Sequence, residues 1–392
     1  MNVHDELLNR ISSKKAITFA EFMELALYWS EGGYYSSLRP FGRTGDYFTS
    51  PLVHPIFGTL IGRQLQEVWV MLGCPDPFWV LEMGAGNGSL AYDVLRSIKK
   101  EAADCFSSLN YVILDPIAGR GVESNFEDEY SSRITRIRAS GVPFKEFVGC
   151  ILSNELADAF PVHRVTLQNG KLCEIYVGLD EHGDFTEVIG SPSTQQLEKR
   201  FKSLGVTLSE GYRTEVNLRL PAWVQHLATV FQRGVALMID YGYEGLKYYA
   251  PERSMGTLSY YYNHVQTSNP YQRVGEQDMT SHVEFTTLQQ SAQENGFTLL
   301  GNTTQRNFLH NLGFSHFIDQ IKEQYSLRVT RDIEILVDQE GLGAFRVIGL
   351  GKGMEHVHLT GFNTRIDEYC DLIPREPLEY ILPLSHHLVN NY

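Results

Sequence analysis

The sequence predicts an α/β fold built on a doubly wound, mainly parallel β-sheet. From residue 78 onward, apolar runs of strand length alternate with stretches that have helical spacing, and this alternation is typical of βαβ units. A glycine-rich turn directly follows the first apolar run, where open sheets of this kind bind ligands. Hydrophobic residues make up 43% of the 392 residues, which is enough for one large domain with inserts or for two domains.

The elements can be assigned in chain order. Residues 5–31 carry an apolar helical face, and Thr18 and Glu21 have the spacing of a capping box. We expect the two glycines that follow to end this helix, and a second amphipathic helix to span residues 55–72. Parallel strands are predicted at residues 79–83, 110–114, 134–138, 148–153 and 234–240.

The later part of the chain predicts a closing element and two inserts. Apolar runs at residues 333–337 and 343–349 are expected to form an antiparallel hairpin. Long stretches interrupt the alternation at about 165–230 and 245–330. The predicted organisation is an N-terminal helical cap (1–77), an α/β domain with these inserts (78–353) and a tail of unassigned role (354–392).

Composition narrows the class of protein. A formal net charge of −14 argues against nucleic-acid binding, which needs clustered basic residues, and it suits a soluble enzyme with a cationic substrate. The five cysteines form no C-x-x-C pair, so we expect reduced thiols and a cytoplasmic location. No apolar run is long enough to predict a membrane span. The N-terminus is too acidic for a targeting peptide. The sequence does not decide whether the chain forms a homodimer.

The glycine-rich turn is the strongest local motif. Glu82 ends the first predicted strand, and Gly84, Gly86 and Gly88 alternate behind it. A carboxylate there is unfavourable for a pyrophosphate but suits a ligand that carries positive charge and hydroxyls, as S-adenosylmethionine does. An ordinary strand-to-helix turn and a dinucleotide loop are the alternatives. Ala85 and Asn87 complete the predicted loop.

Two further strand ends carry polar residues. Asp115 follows the second strand, where an acid holds ribose hydroxyls in doubly wound folds, although it could simply cap a helix. Asn154, Glu155 and Asp158 follow the 148–153 strand. Glu155 and Asp158 are three residues apart and could share a helical face. Together they could hold a guanidinium through forked hydrogen bonds, or Asn154 could be a helix cap and Asp158 a solvated residue.

The remaining candidates concern the acceptor side. Asp240 and Tyr241 end the last predicted parallel strand and either line the cleft or form a turn. His264, Asp278 and His282 lie in the second insert, and their spacing matches no zinc pattern. We interpret them as parts of a substrate-binding wall and predict no metal.

Several ordered motifs resemble the MidA-like S-adenosylmethionine-dependent methyltransferases, a family that includes an arginine-methylating assembly factor of mitochondrial complex I. The resemblance covers about residues 15–353. The segments that carry it are residues 33–35, 45–51, 57–58, 81–90, 153–162, 239–242, 256–258 and 278–285.

The resemblance implies a class I methyltransferase, Rossmann-like, with an N-terminal helical cap and inserts that shape the acceptor site. It places Thr49 and Ser50 near the donor, and Tyr35 and Asp46 in the acceptor region. Two positions depart from the family pattern: Leu52 stands where an acid is usual, and Ser259 where an arginine is usual.

The sequence therefore predicts methyl transfer from S-adenosylmethionine, most simply to an arginine of a partner protein. Glu155, Asn154 and Asp158 would orient the acceptor. A small-molecule or peptide methyltransferase, suggested by Leu52 and Ser259, is one alternative. An assembly factor that binds S-adenosylmethionine without turnover is another.

Overall fold

A computed structural model describes residues 2–36, 49–116, 130, 132–139, 141–263, 265–324, 327–354 and 357–363. The helices are α1 Val3–Lys14, α2 Phe19–Tyr28, α3 Ser50–Val53, α4 Ile56–Met71, α5 Ser89–Glu101, α6 Ala103–Ser108, α7 Gln195–Leu204, α8 Arg219–Val230, α9 Gly245–Tyr248, α10 Phe285–Glu294, α11 Gln305–Asn311, α12 Phe314–Gln324 and α13 Leu327–Glu334. The strands are β1 Ile17–Thr18, β2 Phe78–Met83, β3 Leu109–Asp115, β4 Ile134–Arg138, β5 Phe147–Asn154, β6 His163–Gln168, β7 Lys171–Leu179, β8 Phe185–Gly190, β9 Arg213–Val216, β10 Phe231–Asp240, β11 Gly242–Tyr243, β12 Ser259–Tyr262, β13 Val265–Thr267, β14 Asp278–Thr280, β15 Val283–Glu284, β16 Thr298–Thr304 and β17 Arg346–Lys352.

A seven-stranded sheet forms the centre of the fold, in the order β16-β17-β10-β5-β2-β3-β4. The five strands from β10 to β4 pair in parallel, while β17 runs antiparallel to both neighbours. This arrangement confirms the predicted α/β sheet and all five predicted parallel strands. Because parallel strands share one direction, their carboxyl ends lie along one edge of the sheet.

The sheet is buried on both faces, as its near-continuous apolar strands require. Alternate residues enter different clusters: Val80 of β2 packs with α4 and α5, while Leu81 packs with α8 and α10. Helix α4 confirms the predicted 55–72 helix. It belongs to the central layers, so residues 1–77 contribute to more than one packing unit.

The predicted closing hairpin is wrong in its first arm. Residues 333–337 form the end of α13 and a 3₁₀ turn, and β17 pairs with β16 instead. Ile333 and Leu336 are buried while Ile335 is exposed, which is the burial of a helical turn and not of a strand. The run of residues 333–337 is too short for its sequence to distinguish a helical periodicity from that of a strand.

The N-terminal region forms two helices where one was predicted. The chain turns at β1, and Thr18 then caps α2 by accepting a hydrogen bond from the amide of Glu21 (3.1 Å). The Glu21 carboxylate binds Arg10 and Lys14, so only half of the predicted capping box forms. Strand β1 pairs with β7 of a second, five-stranded sheet. This pairing holds α1 and α2 against the first insert, above the central sheet's carboxyl edge.

Candidate active site

One cleft of about 890 Å³ lies along the carboxyl edge of the central sheet. Its floor consists of the loops that follow β2, β3, β5 and β10, and α2 and α8 form part of its walls. The predicted residues that line it are Tyr35, Thr49, Glu82, Gly84, Ala85, Gly86, Asn87, Asp115, Asn154, Glu155, Asp158, Tyr241 and His282.

The glycine-rich loop between β2 and α5 has a backbone that side chains disfavour. Gly84, Gly86 and Gly88 have φ values of 73°, 56° and 85°, in the left-handed region that glycine adopts without cost. A Cβ on Gly84 would lie 2.9 Å from a methyl carbon of Leu156. The loop therefore turns tightly against the β5–β6 connection and presents its amides at the start of α5.

Two carboxyl groups flank this loop. Glu82 is 3% exposed, and the Tyr111 hydroxyl donates to its Oε2 at 2.8 Å. Burial raises the pKa of Glu82 to about 7, although the Tyr111 hydrogen bond opposes the rise. Asp115 accepts a hydrogen bond from the amide of Ala85, and Arg136 lies 3.9 Å from its Oδ2. Burial still raises the pKa of Asp115 to about 6.

Glu155 lies on a turn of strained backbone at the end of β5. Its φ is 51°, which is costly for a residue with a side chain and is more frequent at functional sites. Its carboxylate accepts hydrogen bonds from Asn154 Nδ2 (2.9 Å) and from the backbone of Ser50. Burial, with a contribution from Asp158, raises the pKa of Glu155 to about 8.

Residues 155–161 form a turn where a shared helical face was expected for Glu155 and Asp158. Asp240 holds this turn, because its Oδ2 accepts from the amides of Ala157 (2.9 Å) and Asp158 (3.3 Å). The helical interpretation is wrong, yet both carboxyl groups still meet at the cleft. Burial and the nearby Asp240 raise the pKa of Asp158 well above its usual range.

Tyr241 and His282 also line the cleft, next to Asp158. The Tyr241 hydroxyl donates to Asp158 Oδ2 at 2.8 Å, and Asp158 Oδ1 is buried without a hydrogen-bond partner. The His282 ring packs edge-on against Tyr241, with ring centroids 5.2 Å apart. Burial lowers the pKa of His282 to about 4, and the charge of Arg253 contributes. His282 is therefore neutral near pH 7.

Several predicted residues lie beside the cleft. Ser50 is fully buried; its hydroxyl donates to Gln305 and its backbone contacts Glu155. Asp240 lies beneath the floor, and Asp278 is buried with its Oδ1 accepting from the amide of Met279 (2.9 Å). Gly88 is the N-cap of α5. Asp46 and His264 lie outside the described residues.

The structure adds cleft residues that the sequence patterns did not indicate. They come from α2, α8, β14 and the β17 entry, and they are Glu24, Tyr28, Arg219, Trp223, His226, Thr280 and Phe345. Glu24 and Tyr28 are four residues apart on α2 and share its cleft-facing side. That spacing was visible, but the many apolar residues of α2 indicated only a core helix.

The charge of the cleft fits a ligand with positive charge and hydroxyl groups. Four carboxyl-bearing side chains line its inner part: Glu82, Asp115, Glu155 and Asp158. Asn154 Oδ1 is a further buried acceptor with no hydrogen-bond partner. Because burial opposes ionisation of these groups, cations and hydrogen-bond donors from a ligand would satisfy them. Among the described residues, no group of three or more possible metal ligands occurs.

Comparisons with known proteins agree with this geometry. A family model for S-adenosyl-L-methionine-dependent methyltransferases matches residues 60–303, more than half of the chain. The chain belongs to this family. It is therefore a methyltransferase that uses S-adenosylmethionine, as the sequence predicted.

Relatives match most of the chain. A crystal structure from Burkholderia thailandensis, described as a likely methyl transferase and bound to S-adenosyl-homocysteine, superposes with a TM-score of 0.84 and 29% identity, covering 92% of this chain and 94% of that one. A Drosophila melanogaster protein named as a mitochondrial NDUFAF7 homologue, a protein arginine methyltransferase, is 28% identical over 385 residues, 90% of this chain and 86% of that protein. The human mitochondrial protein arginine methyltransferase NDUFAF7 is 25% identical, covering 78% and 72%.

These relatives correct one prediction. The expected cytoplasmic location is wrong, because the curated relatives are named as mitochondrial proteins. The location had been inferred from cysteine usage, and reduced thiols do not distinguish one reducing compartment from another. The described cysteines, Cys74, Cys105, Cys150 and Cys173, are free. No helix among the described residues is long and apolar enough to span a membrane.

Proposed function

We propose that this methyltransferase transfers a methyl group to an arginine side chain of a partner protein. The observation that carries the proposal is the pair of carboxyl groups formed by Glu155, which is partly buried, and Asp158, which is buried, at the proposed acceptor end of the cleft. No ion pair joins either of them to an arginine or lysine of the described part of the chain. A guanidinium from the acceptor would supply the positive charge that these carboxyl groups lack, and its planar, forked donors match their oxygen atoms. The arginine methyltransferase names of the relatives support the same acceptor class.

The donor half would hold S-adenosylmethionine through the loop after β2. The amides of Gly84, Gly86 and their neighbours would meet its carboxylate, and Glu82 its ammonium group. Asp115, at the end of β3, would accept hydrogen bonds from the ribose hydroxyls. The bound donor supplies a methyl group on a sulfonium, which departs as a neutral thioether.

In the acceptor half, the protein's contribution is alignment and proton removal. An arginine side chain arrives as a guanidinium, because its pKa exceeds about 12. Glu155 and Asn154 Oδ1 would orient one nitrogen towards the methyl group. As the new N–C bond forms and the S–C bond breaks, that nitrogen loses a proton. The Glu155 carboxylate would accept it, since burial raises its pKa to about 8 and makes it a stronger base than an exposed carboxylate.

The test is transfer of label from methyl-labelled S-adenosylmethionine to lysate proteins, followed by mass spectrometry of the modified residues. We expect label on arginine with the native protein and none with Glu155→Gln. Glu198→Gln, which changes an exposed residue on α7, is the matched control. Label confined to small molecules would overturn the proposal and favour the small-molecule alternative. Label on protein residues other than arginine would overturn the arginine acceptor.

The assembly-factor alternative is separable in the same samples. If a partner protein co-purifies equally with the native chain and with Glu155→Gln, binding does not depend on methyl transfer. Loss of both together would tie the partner interaction to an intact acceptor site.

A further inference from the structure

The chain places one guanidinium of its own at the mouth of the acceptor cleft. Arg219 is the single arginine or lysine among the described residues that line the cleft. Its Nη1 lies 2.6 Å from Oε2 of Glu24, and the two side chains are 47% and 39% exposed. The pair thus joins α8 to α2 where the cleft opens to solvent.

Stability does not account for this ion pair. Arg219 is the first residue of α8, whose N-terminus is already capped by Asn217, since Asn217 Oδ1 accepts a hydrogen bond from the amide of Leu220 (2.9 Å). A cation at this position opposes the helix dipole. Ion pairs as exposed as this one contribute little to stability, because solvent screens them. Helix α2 is already attached by its buried apolar face and by the Tyr28 hydroxyl, which donates to the Ala159 carbonyl at 2.9 Å.

The pair is continuous with the inner carboxyl groups. Tyr28 lies one helical turn from Glu24 and lines the same cleft. Burial raises the pKa of Tyr28, the nearby carboxylates of Glu24 and Asp158 raise it further, and Arg219 opposes them. The Tyr28 hydroxyl is therefore within electrostatic range of both the mouth pair and Asp158, and Glu24, Asp158 and Glu155 all line the same cleft.

We propose that Glu24 is the entry contact for the acceptor and that Arg219 is its resident competitor. An incoming arginine would exchange with Arg219 on Glu24 before it moves inward to Asp158 and Glu155. This inference rests on the proposed arginine acceptor. The inference gives the Glu24–Arg219 ion pair a role in substrate specificity, although the pair lies outside the reacting centre. An acceptor side chain that enters the cleft must first displace the Arg219 guanidinium from Glu24, which favours another guanidinium.

The exchange predicts opposite effects for the two halves of one ion pair. Removing Arg219 frees Glu24 and strengthens acceptor binding, whereas removing the Glu24 charge weakens it. A purely structural pair would give effects of the same sign, because either substitution breaks the same contact. Both effects should shrink with added salt, since both groups are partly exposed.

The experiment titrates the protein, saturated with S-adenosyl-homocysteine, with acetylated and amidated Gly-Arg-Gly and with its citrulline counterpart by calorimetry. We expect Glu24→Gln to weaken binding of the arginine peptide about threefold and Arg219→Ala to strengthen it by a similar factor, with Arg219→Lys close to native. The dissociation constant for S-adenosyl-homocysteine should stay unchanged in all three variants, which also verifies that they fold.

The outcomes separate the two proposals. If the arginine peptide binds better than the citrulline peptide but Glu24→Gln and Arg219→Ala shift its affinity in the same direction, or not at all, the entry-contact inference is overturned alone. If the native protein does not distinguish the peptides, the arginine acceptor itself is overturned, and the inference falls with it.

Discussion

The proposed donor and acceptor halves of the cleft are built in different ways. The donor half comes from β2, the loop of residues 84–88 and the end of β3, so that most of it is one continuous stretch. The acceptor half combines Tyr28 of α2, Glu155 and Asp158 after β5, Tyr241 after β10 and His282 after β14. These residues are far apart in the chain and meet only through the fold.

The contrast between the two halves extends to the backbone conformation. In the donor half, glycines adopt the left-handed conformation, so a single local sequence determines its shape. In the acceptor half, Glu155 adopts it at a cost that Asp240 and the Ser50 backbone help to offset. The shape of the glycine-rich loop therefore depends mainly on its own residues, while the proposed acceptor half also depends on the inserts that contribute to it.

The largest expected effect is on catalysis alone. We expect Glu155→Gln to lower kcat by about 10²- to 10⁴-fold, since it removes the proposed proton acceptor. Its affinity for S-adenosyl-homocysteine should stay within about twofold, measured by calorimetry. An equal loss of donor affinity would show that the two halves are not separable.

The converse change affects the donor half. Asp115→Ala should weaken S-adenosyl-homocysteine binding by about 10- to 100-fold, as expected when hydrogen bonds to a charged group are lost. Because Asp115 lies at the end of β3, away from Glu155, kcat at saturating donor should change little. Steady-state kinetics at several donor concentrations measure both quantities, and a large fall in kcat would contradict the assignment.

Gly84 is where the two halves touch. Gly84→Ala should lower donor affinity about tenfold, because φ of 73° disfavours a side chain and the new Cβ meets Leu156. Adding Leu156→Ala removes the contact but not the backbone strain, so we expect only partial recovery by calorimetry. Full recovery would mean that the contact, and not the conformation, requires glycine.

The smallest expected effect is a dependence of stability on pH. Burial raises the pKa of Glu82 and Asp240 to about 7 and that of Glu155 to about 8. The folded protein thus holds more protons than the unfolded chain, and the free energy of unfolding falls as pH rises from 6.5 to 8. Below that window His282, with a pKa lowered to about 4, acts in the opposite direction.

The measurement is the Tm of the ligand-free protein between pH 6.5 and 8. We expect a decrease of a few degrees, and a shallower slope for Glu155→Gln than for Glu198→Gln. A Tm that rises between pH 6.5 and 8 would contradict the burial of these carboxyl groups in the folded state.

The sequence predicted the central strands well because each is a run of apolar residues bounded by turn signals. The sequence-based prediction failed where contacts with distant segments determined whether a stretch of chain is helical or extended. Residues 333–337 became helical because the fold buries Ile333 and Leu336 and exposes Ile335. Residues 5–31 were divided because Ile17 and Thr18 pair with β7, a strand far along the chain.

The same distinction applies to the candidate site. Glu82, the glycine loop and Asp115 lie at the cleft as predicted, because their positions depend on short-range spacing after a strand. Glu24, Tyr28 and Arg219 were missed because nothing local relates α2 to α8. Asp240 was expected either to line the cleft or to form a turn. It lies below the cleft floor, where both of its carboxylate oxygens accept hydrogen bonds from backbone amides.

By itself, the sequence determined the parallel sheet, the glycine-rich loop and the methyltransferase class, because strand periodicity and glycine conformations are properties of neighbouring residues. Only the tertiary structure decided which carboxyl groups meet in the cleft and what shape the turn after β5 takes. It also decided that an internal arginine stands at the cleft mouth. These features depend on contacts between distant segments, whose burial and charge no local pattern records.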